Sequence, residues 1–299
     1  STMMFFTEQG RLYWTKVYEL PEGNRQSKGR ALQNMINIQK GDKVCAFIHV
    51  KNLNDMEYVQ NHYLIFATKN GLMKKTTLES YSRPRANGII ALGLREDDRL
   101  IRVTLTDGNS QMLVASYNGK VVRFPEDTVR PMGRTATGVR AIKLDEDGQD
   151  RVIGMICVEE GSKESVLVIS EKGFGKRTDL DDENGEAIYR ITNRGGKGVK
   201  TMNLTDKTGN LIGLEAVTDE QDLMLITKSG TAIRMAMDTI RVMGRATQGV
   251  RLINLEKRND QIGSVCKVMS ESEEDNIDET NLETGEEIVT IEPMDESID

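Results

Sequence analysis

Histidine is almost missing from this chain. His49 and His62 are the only two, and neither stands in a nucleophile, metal or phosphate signature. The three cysteines, Cys45, Cys157 and Cys266, have no metal-ligand spacing and cannot all pair. That points to a reducing compartment and to small buried hydrophobes. Aromatic residues make up 5% of the chain and are not placed as a stacking platform, which argues against single-stranded nucleic acid as a ligand. No apolar run approaches a membrane span, and Met3–Phe6 is too short for the core of a signal peptide. Helical periodicity is absent from every window, while five prolines and 27 glycines punctuate many short apolar stretches, the pattern of an all-β chain. Two glycine motifs also fall short of chemistry. Arg194-Gly-Gly-Lys-Gly198 lacks the spacer and the Ser/Thr of a phosphate loop. Asp179–Gly185 has its glycine one place late for a calcium loop and no closing glutamate, so it reads as a solvated acidic turn. No catalytic residue, metal site or cofactor is expected.

What is present is divided charge. Of 47 acidic side chains, 13 fall in residues 271–299, which hold no lysine or arginine, so 34 acidic residues face 40 basic ones in the rest. A basic body with an acidic end is a signature of polyanion binding by one part of a chain. The acidic segment is poor in aromatics and reads as disordered, with a candidate strand at Glu287-Ile-Val-Thr-Ile291.

The body is repetitive. Gly119–Leu144 aligns without a gap on Gly230–Leu255, a shift of 111, with half of the 26 positions identical. Five units follow one another, at about 3–50, 63–106, 111–158, 165–218 and 222–269. Each opens with an apolar strand that runs into a turn glycine: Gly10, Gly71, Gly119, Gly173 or Gly230. Such glycines suit the primed turns of hairpins. A second strand follows, such as Lys120-Val-Val-Arg-Phe124, in which basic and apolar residues alternate and the bases are expected on one face. Next comes a polar loop that closes on Gly29, Gly88, Gly138, Gly198 or Gly249, and two further strands end the unit. Four short strands in a repeated unit of this size describe a propeller blade, and about five blades are expected.

All five loops carry lysine or arginine near the closing glycine. The candidate phosphate contacts are Arg194, Lys197 and Lys200 with Gly195, Gly196 and Gly198 in the fourth loop, and Arg134, Arg140, Arg245 and Arg251 in the third and fifth. Arg83 and Arg85 in the second loop and Lys28 and Arg30 in the first complete the set. Phosphates are contacted by cations and by backbone N–H groups that glycine lets approach closely. No helix is available for the major groove, so the expected ligand is duplex DNA read weakly for sequence. Arg140 and Arg251, being in strands, are alternatively ion-paired across blades. A propeller-like scaffold for an acidic protein partner fits the same pattern.

Leu113–Phe124, the two Met-Gly-Arg-x-x-x-Gly-Val-Arg segments, Tyr18-Glu-Leu-Pro-Glu22, Gly173–Thr178 and Arg194–Gly198 together resemble the C-terminal domain of bacterial DNA gyrase A, over residues 3–270. The acidic tail is similar to that of some gyrases. The resemblance implies a six-bladed β-pinwheel, a propeller relative with strands exchanged between blades and DNA wrapped on a basic rim. It further implies a cytoplasmic, nucleoid-associated bacterial assembly with the rest of gyrase A and with gyrase B, an A2B2 complex that introduces negative supercoils at the expense of ATP. The family's box, Gln-(Arg/Lys)-Arg-Gly-Gly-Lys-Gly, is met at Arg194–Gly198, but Thr192 and Asn193 replace its first two residues. The box also stands in the fourth unit rather than the first, so the chain reads as a piece without its first blade. The C-terminal domain of the related topoisomerase IV is the neighbouring alternative.

Overall fold

The computed structural model describes residues 1–23, 28–255 and 259–270; the acidic segment, with the strand expected at Glu287–Ile291, lies outside the described residues. The first unit contributes β1 (Thr2–Thr7), β2 (Arg11–Lys16) and β3 (Val44–Val50). The second gives β4 (Tyr63–Thr68), β5 (Leu72–Thr77), β6 (Ile89–Ile90) and β7 (Leu100–Thr106), and the third gives β8 (Gln111–Ser116), β9 (Lys120–Pro125), β10 (Val139–Arg140) and β11 (Val152–Val158). The fourth gives β12 (Ser165–Ser170), β13 (Phe174–Asp179), β14 (Val199–Lys200) and β15 (Leu211–Val217). The fifth ends the array with β16 (Gln221–Thr227), β17 (Ala232–Ala236), β18 (Val250–Arg251) and β19 (Ile262–Met269). The first two strands of every unit form an antiparallel hairpin, and the five turn glycines all have positive φ, from 78° to 92°.

A blade is not made of four consecutive strands. The sheets run β3-β1-β2-β6, β10-β5-β4-β7, β11-β8-β9-β14 and β15-β12-β13-β18, and the fifth, among the described residues, is β17-β16-β19. Each two-residue strand therefore leaves its own unit and pairs with the second hairpin strand of the unit before. Val139 faces Met73 in this way, Val199 faces Val121, and Val250 faces Gly175. The closing glycines make the crossing possible. A Cβ on Gly138 would lie 2.3 Å from the Met73 carbonyl oxygen, and one on Gly198 would lie 2.4 Å from that of Val121. Backbone passes over backbone there, so no side chain fits.

The inner hairpin strands read as unbroken apolar runs because both faces are buried. In β4, Leu64 and Phe66 point into a core shared with Phe6 and Leu12 of the blade before, while Ile65 and Ala67 pack with Met112 and Val114 of the blade after. The same division repeats between blades 3 and 4 and between blades 4 and 5. Blade 1 turns its other face, Phe5 and Tyr13, onto Ile36 and Leu32 of its own loop. An equivalent backbone bond recurs between successive units: Leu100 N–H to the Glu8 carbonyl, Val152 to Lys69, Leu211 to Tyr117 and Ile262 to Glu171, all at 2.9–3.0 Å. The blades surround a cavity of about 420 Å³ that Glu8, Lys69, Arg151, Glu171 and Lys228 line together.

Two details depart from the sequence reading. A short helix, α1 (Met56–Asn61), joins blades 1 and 2; Asp55 caps it by accepting from the Tyr58 N–H at 3.1 Å. Six residues are too few to leave a periodic trace. Cys266 is exposed in β19, whereas Cys45 and Cys157 are half-buried, because among the described residues no later blade packs against β19.

Candidate nucleic-acid interface

The loops between each second hairpin strand and its crossing strand lie at equivalent places on the blades. Each is pinned by a buried residue, Tyr81, Val129, Tyr189 or Ile240, before it reaches solvent. The loops are also bonded to one another. Gly93 N–H donates to the Ala136 carbonyl at 3.1 Å, Lys143 N–H to Gly196 at 2.8 Å and Asn203 N–H to Thr247 at 3.0 Å. The second, third, fourth and fifth units thereby share one continuous rim.

Along this rim the expected cations separate into two groups. Arg83, Arg85, Arg140, Lys197, Lys200 and Arg251 are exposed. Arg134, Arg194 and Arg245 are half-buried, and two of them hold the rim together. Arg194 donates through Nε to the Thr128 carbonyl at 3.2 Å and through Nη1 to that of Arg140 at 3.3 Å. Arg245 donates through Nη1 to the Lys200 carbonyl at 2.6 Å. The guanidinium of one loop thus grips the crossing strand of the loop before. The Arg134 Nε is buried and meets no hydrogen-bond partner among the described residues. Among the described residues Arg140 makes no ion pair across blades; its side chain is exposed while its carbonyl serves Arg194. Arg251 lies over the Phe174 ring at 5.2 Å.

The glycines of the box-like segment divide in the same manner. The Gly195 N–H is spent on the Ala141 carbonyl at 2.6 Å, and Gly198 serves the close crossing described above. A Cβ on Gly196 would meet only ordinary contacts, the Asn193 carbonyl oxygen at 3.8 Å and the Gly198 nitrogen at 4.0 Å. Beside it a cavity of about 290 Å³ opens between Arg190 and Lys197, floored by Val121 and Val122. Lys28 and Arg30 are exposed, but the first unit sends no strand to another sheet among the described residues. Of its described residues, Leu20, Leu32 and Ile36 pack on Phe5 and Tyr13 of blade 1.

Exposed cations missing from the sequence-based candidates include Arg130, Arg190 and Arg241. Each directly follows the buried pin of its loop and precedes an outward residue, Pro131, Ile191 (47% exposed) or Val242 (49% exposed). Arg130 and Arg241 occupy identical places in the aligned repeat, which was the available signal. The opposite correction applies to the second hairpin strands. Their bases are not gathered on one outward face: Arg123 is buried and pairs with Asp181 at 2.9 Å, and Arg177 is buried and pairs with Asp219 at 2.5 Å. A period-two pattern cannot put residues 120 and 123 on one face, and the sheet turns the second of them inward.

A family model described as the DNA gyrase C-terminal domain, beta-propeller, matches residues 1–51, 62–107, 111–159, 164–218 and 221–265. DNA gyrase A of Staphylococcus aureus strain MRSA252 is 44% identical over 278 residues, covering 93% of this chain and 30% of that protein. Its counterpart from strain NCTC 8325 is 43% identical over 287 residues, covering 95% and 31%. The chain spans about 30% of the length of these relatives. Among solved structures, the C-terminal domain of DNA topoisomerase IV superposes with a TM-score of 0.80 at 24% identity, covering 95% of this chain and 84% of that one. The DNA gyrase A C-terminal domain gives 0.73 at 21%, covering 90% and 82%. Both likenesses are of fold.

Proposed function

The chain belongs to the DNA gyrase C-terminal domain β-propeller family, and on that premise we propose that its rim binds duplex DNA and bends it around successive blades. The observation that supports this reading is the bonded series of loops, which links the segments carrying the exposed Arg83, Arg85, Arg130, Arg140, Arg190, Lys197, Lys200, Arg241 and Arg251 across consecutive blades. DNA is stiff. Bending a site of 20–30 bp through 40–90° costs about 1–6 kcal/mol, so many modest phosphate contacts spread along the path serve better than one tight pocket. Backbone contact of this kind is largely blind to sequence.

Within a complete assembly containing the rest of gyrase A and gyrase B, this wrapping would present a second duplex segment for ATP-driven strand passage and so favour negative supercoiling in the bacterial cytoplasm. The piece itself contributes binding and geometry and needs no cofactor of its own. The test is topological. Nicked circular DNA sealed by ligase in the presence of increasing amounts of the chain should acquire a linking difference that grows with protein added. Sealed circles with the linking number of protein-free controls would remove the wrapping reading.

A second reading, the equivalent domain of topoisomerase IV, draws on the five blades and on Thr192 and Asn193 in the box-like segment. Identity of 43–44% to gyrase A proteins over nearly the whole chain favours the first. A holoenzyme that decatenates well and cannot supercoil relaxed DNA would reverse that preference. A scaffold for an acidic protein would show no DNA affinity beyond weak charge attraction.

A further inference from the structure

Two lysines that never reach solvent lie directly beneath the Met-Gly-Arg turns of the rim. Lys74 on β5 is fully buried, and its Nζ donates to the Arg134 carbonyl at 2.5 Å, to the Ala91 carbonyl at 2.5 Å and to Tyr81 Oη at 3.2 Å. Lys176 on β13 is also fully buried, with Nζ donating to the carbonyls of Gly244 and Arg245 at 2.6 Å each and to Thr247 Oγ1 at 3.1 Å. Both are the third residue after a turn glycine, Gly71 and Gly173. Both serve the unit that follows their own, a blade holding the loop that crosses onto it.

The correlation with sequence is close. The motif Met-Gly-Arg occurs at Met132–Arg134 and Met243–Arg245, the two loops that rest on lysine. Blade 3 has Val122 at the corresponding place, and the fourth loop, which lacks the motif, is held instead by the next residue, Arg123, donating to the Leu180 and Tyr189 carbonyls at 3.2 and 3.1 Å. Blade 1 has Tyr13 there, and the residue after it, Trp14, donates its indole N–H to the Tyr81 carbonyl of the second loop at 3.2 Å. A blade core therefore does not require lysine at this position; the Met-Gly-Arg turn has it twice.

An ammonium group has three donors and no acceptor. Placed under a turn, it draws the turn's carbonyl dipoles inward, away from any anion above, and its charge acts in surroundings that screen less than water. We infer that Lys74 and Lys176 are positioning residues of the DNA surface, buried amine donors that hold the two Met-Gly-Arg turns with their carbonyls inward and so set the exposed arginines beside them against duplex phosphates. This rests on the wrapping reading for its ligand, while the loop geometry it assigns can be tested without DNA.

The experiment pairs Lys176→Met with the parent chain. In hydrogen exchange without DNA, the Thr247 amide, bonded to the Gly244 carbonyl, should lose protection while Leu167 and Val168 in the blade core keep theirs. In anisotropy titrations with a labelled linear duplex, affinity should fall about three- to tenfold because the loop must be ordered on binding. The slope of log affinity against log salt should stay unchanged, since a buried lysine displaces no counterion. A slope lowered by about one would make Lys176 a direct phosphate contact, and unchanged exchange at Thr247 would overturn the assignment. Protection lost throughout the core would reduce the lysine to general support. If the variant does not fold, lysine Nζ resonances of the parent decide: those of Lys74 and Lys176 should keep their hydrogen-bonded signature and hardly move on adding DNA, whereas those of Lys197 and Lys200 should shift. Loss of the buried signals on DNA binding would contradict the proposal. A parent chain that binds no duplex would defeat the wrapping reading and leave the exchange result to stand or fall separately.

Discussion

Lys75 Nζ lies 2.8 Å from Glu126 Oε1, and both side chains are buried. The pair joins the second blade to the turn that follows β9 in the third unit. Glu126 also accepts from Thr106 Oγ1 at 2.6 Å and from the Ser110 N–H at 3.2 Å, so its carboxylate is fully bonded in the interior. Removing one partner strands the other charge away from water, at a cost of about 3–5 kcal/mol. Glu126→Ala should lose that much stability in urea unfolding. Arg99→Ala, which breaks the solvent-exposed pair with Glu8, should lose less than about 1 kcal/mol.

Gly138 and Gly133 belong to one loop and should respond oppositely to alanine. Gly138 has φ of +96° and no room for a Cβ beside the Met73 carbonyl, whereas Gly133 has nothing within 4 Å of that position. The left-handed backbone alone costs about 1–2 kcal/mol, and the clash must add displacement of the crossing strand. Gly138→Ala should therefore lower the melting temperature and weaken DNA binding together, and Gly133→Ala should leave both close to the parent.

Salt dependence separates contact from support on the rim. Lys197→Ala and Lys200→Ala each remove an exposed cation and should reduce the slope of log affinity against log salt by about 0.9. The triple change of Arg130, Arg190 and Arg241 to alanine should reduce it by about three times as much. Arg245→Ala should weaken binding with a smaller change of slope, because its guanidinium is occupied by the Lys200 carbonyl. Equal slopes for all these variants would refute the division.

Stability should rise with pH between about pH 7 and 9. Burial, with the charge of Arg134 adding, lowers Lys74 to about 7; burial and Arg245 lower Lys176 to about 8. In the unfolded chain both lysines keep their protons up to about 10.4. Across this window the unfolded state binds more protons, so unfolding becomes less favourable as pH increases. Toward pH 10 the sign reverses. Burial pushes the Cys45 thiol up to about 12 and raises Cys157 and Tyr81 as well, so the unfolded chain then loses protons that the folded chain keeps. Urea midpoints measured from pH 6.5 to 10.5 should pass through a maximum; a monotonic decline from pH 7 would contradict the lysine assignment.

Deleting residues 271–299 removes 13 negative charges and no positive ones. If that segment competes with DNA for the basic rim, the shortened chain should bind duplex more tightly at low salt, and the gain should fade as salt rises. Equal affinities would leave the segment no part in binding.

Much of this architecture was legible along the chain. The five turn glycines with apolar runs before them located the hairpins, and the register of Gly119–Leu144 on Gly230–Leu255 marked the loops as copies. Local rules suffice there, because a hairpin turn depends on the φ of one glycine and a strand's burial on its immediate run. Exchange of strands between blades was implied by the family resemblance, but which residues cross was not legible. Val139–Arg140 and Val199–Lys200 are two residues long, and their partners, Met73–Leu72 and Val121–Lys120, lie in other units.

The amino-acid order by itself determined that there would be repeated hairpins, basic loops and a separate acidic end, since each is written in neighbouring residues. Only the tertiary structure decided which cations face water. Lys74, Lys176 and Arg123 look no different in sequence from Lys197 or Lys200, yet the first three are buried and bonded to carbonyls while the last two are exposed. The difference arises from which neighbouring blade closes over each side chain, and that is a property of long-range packing.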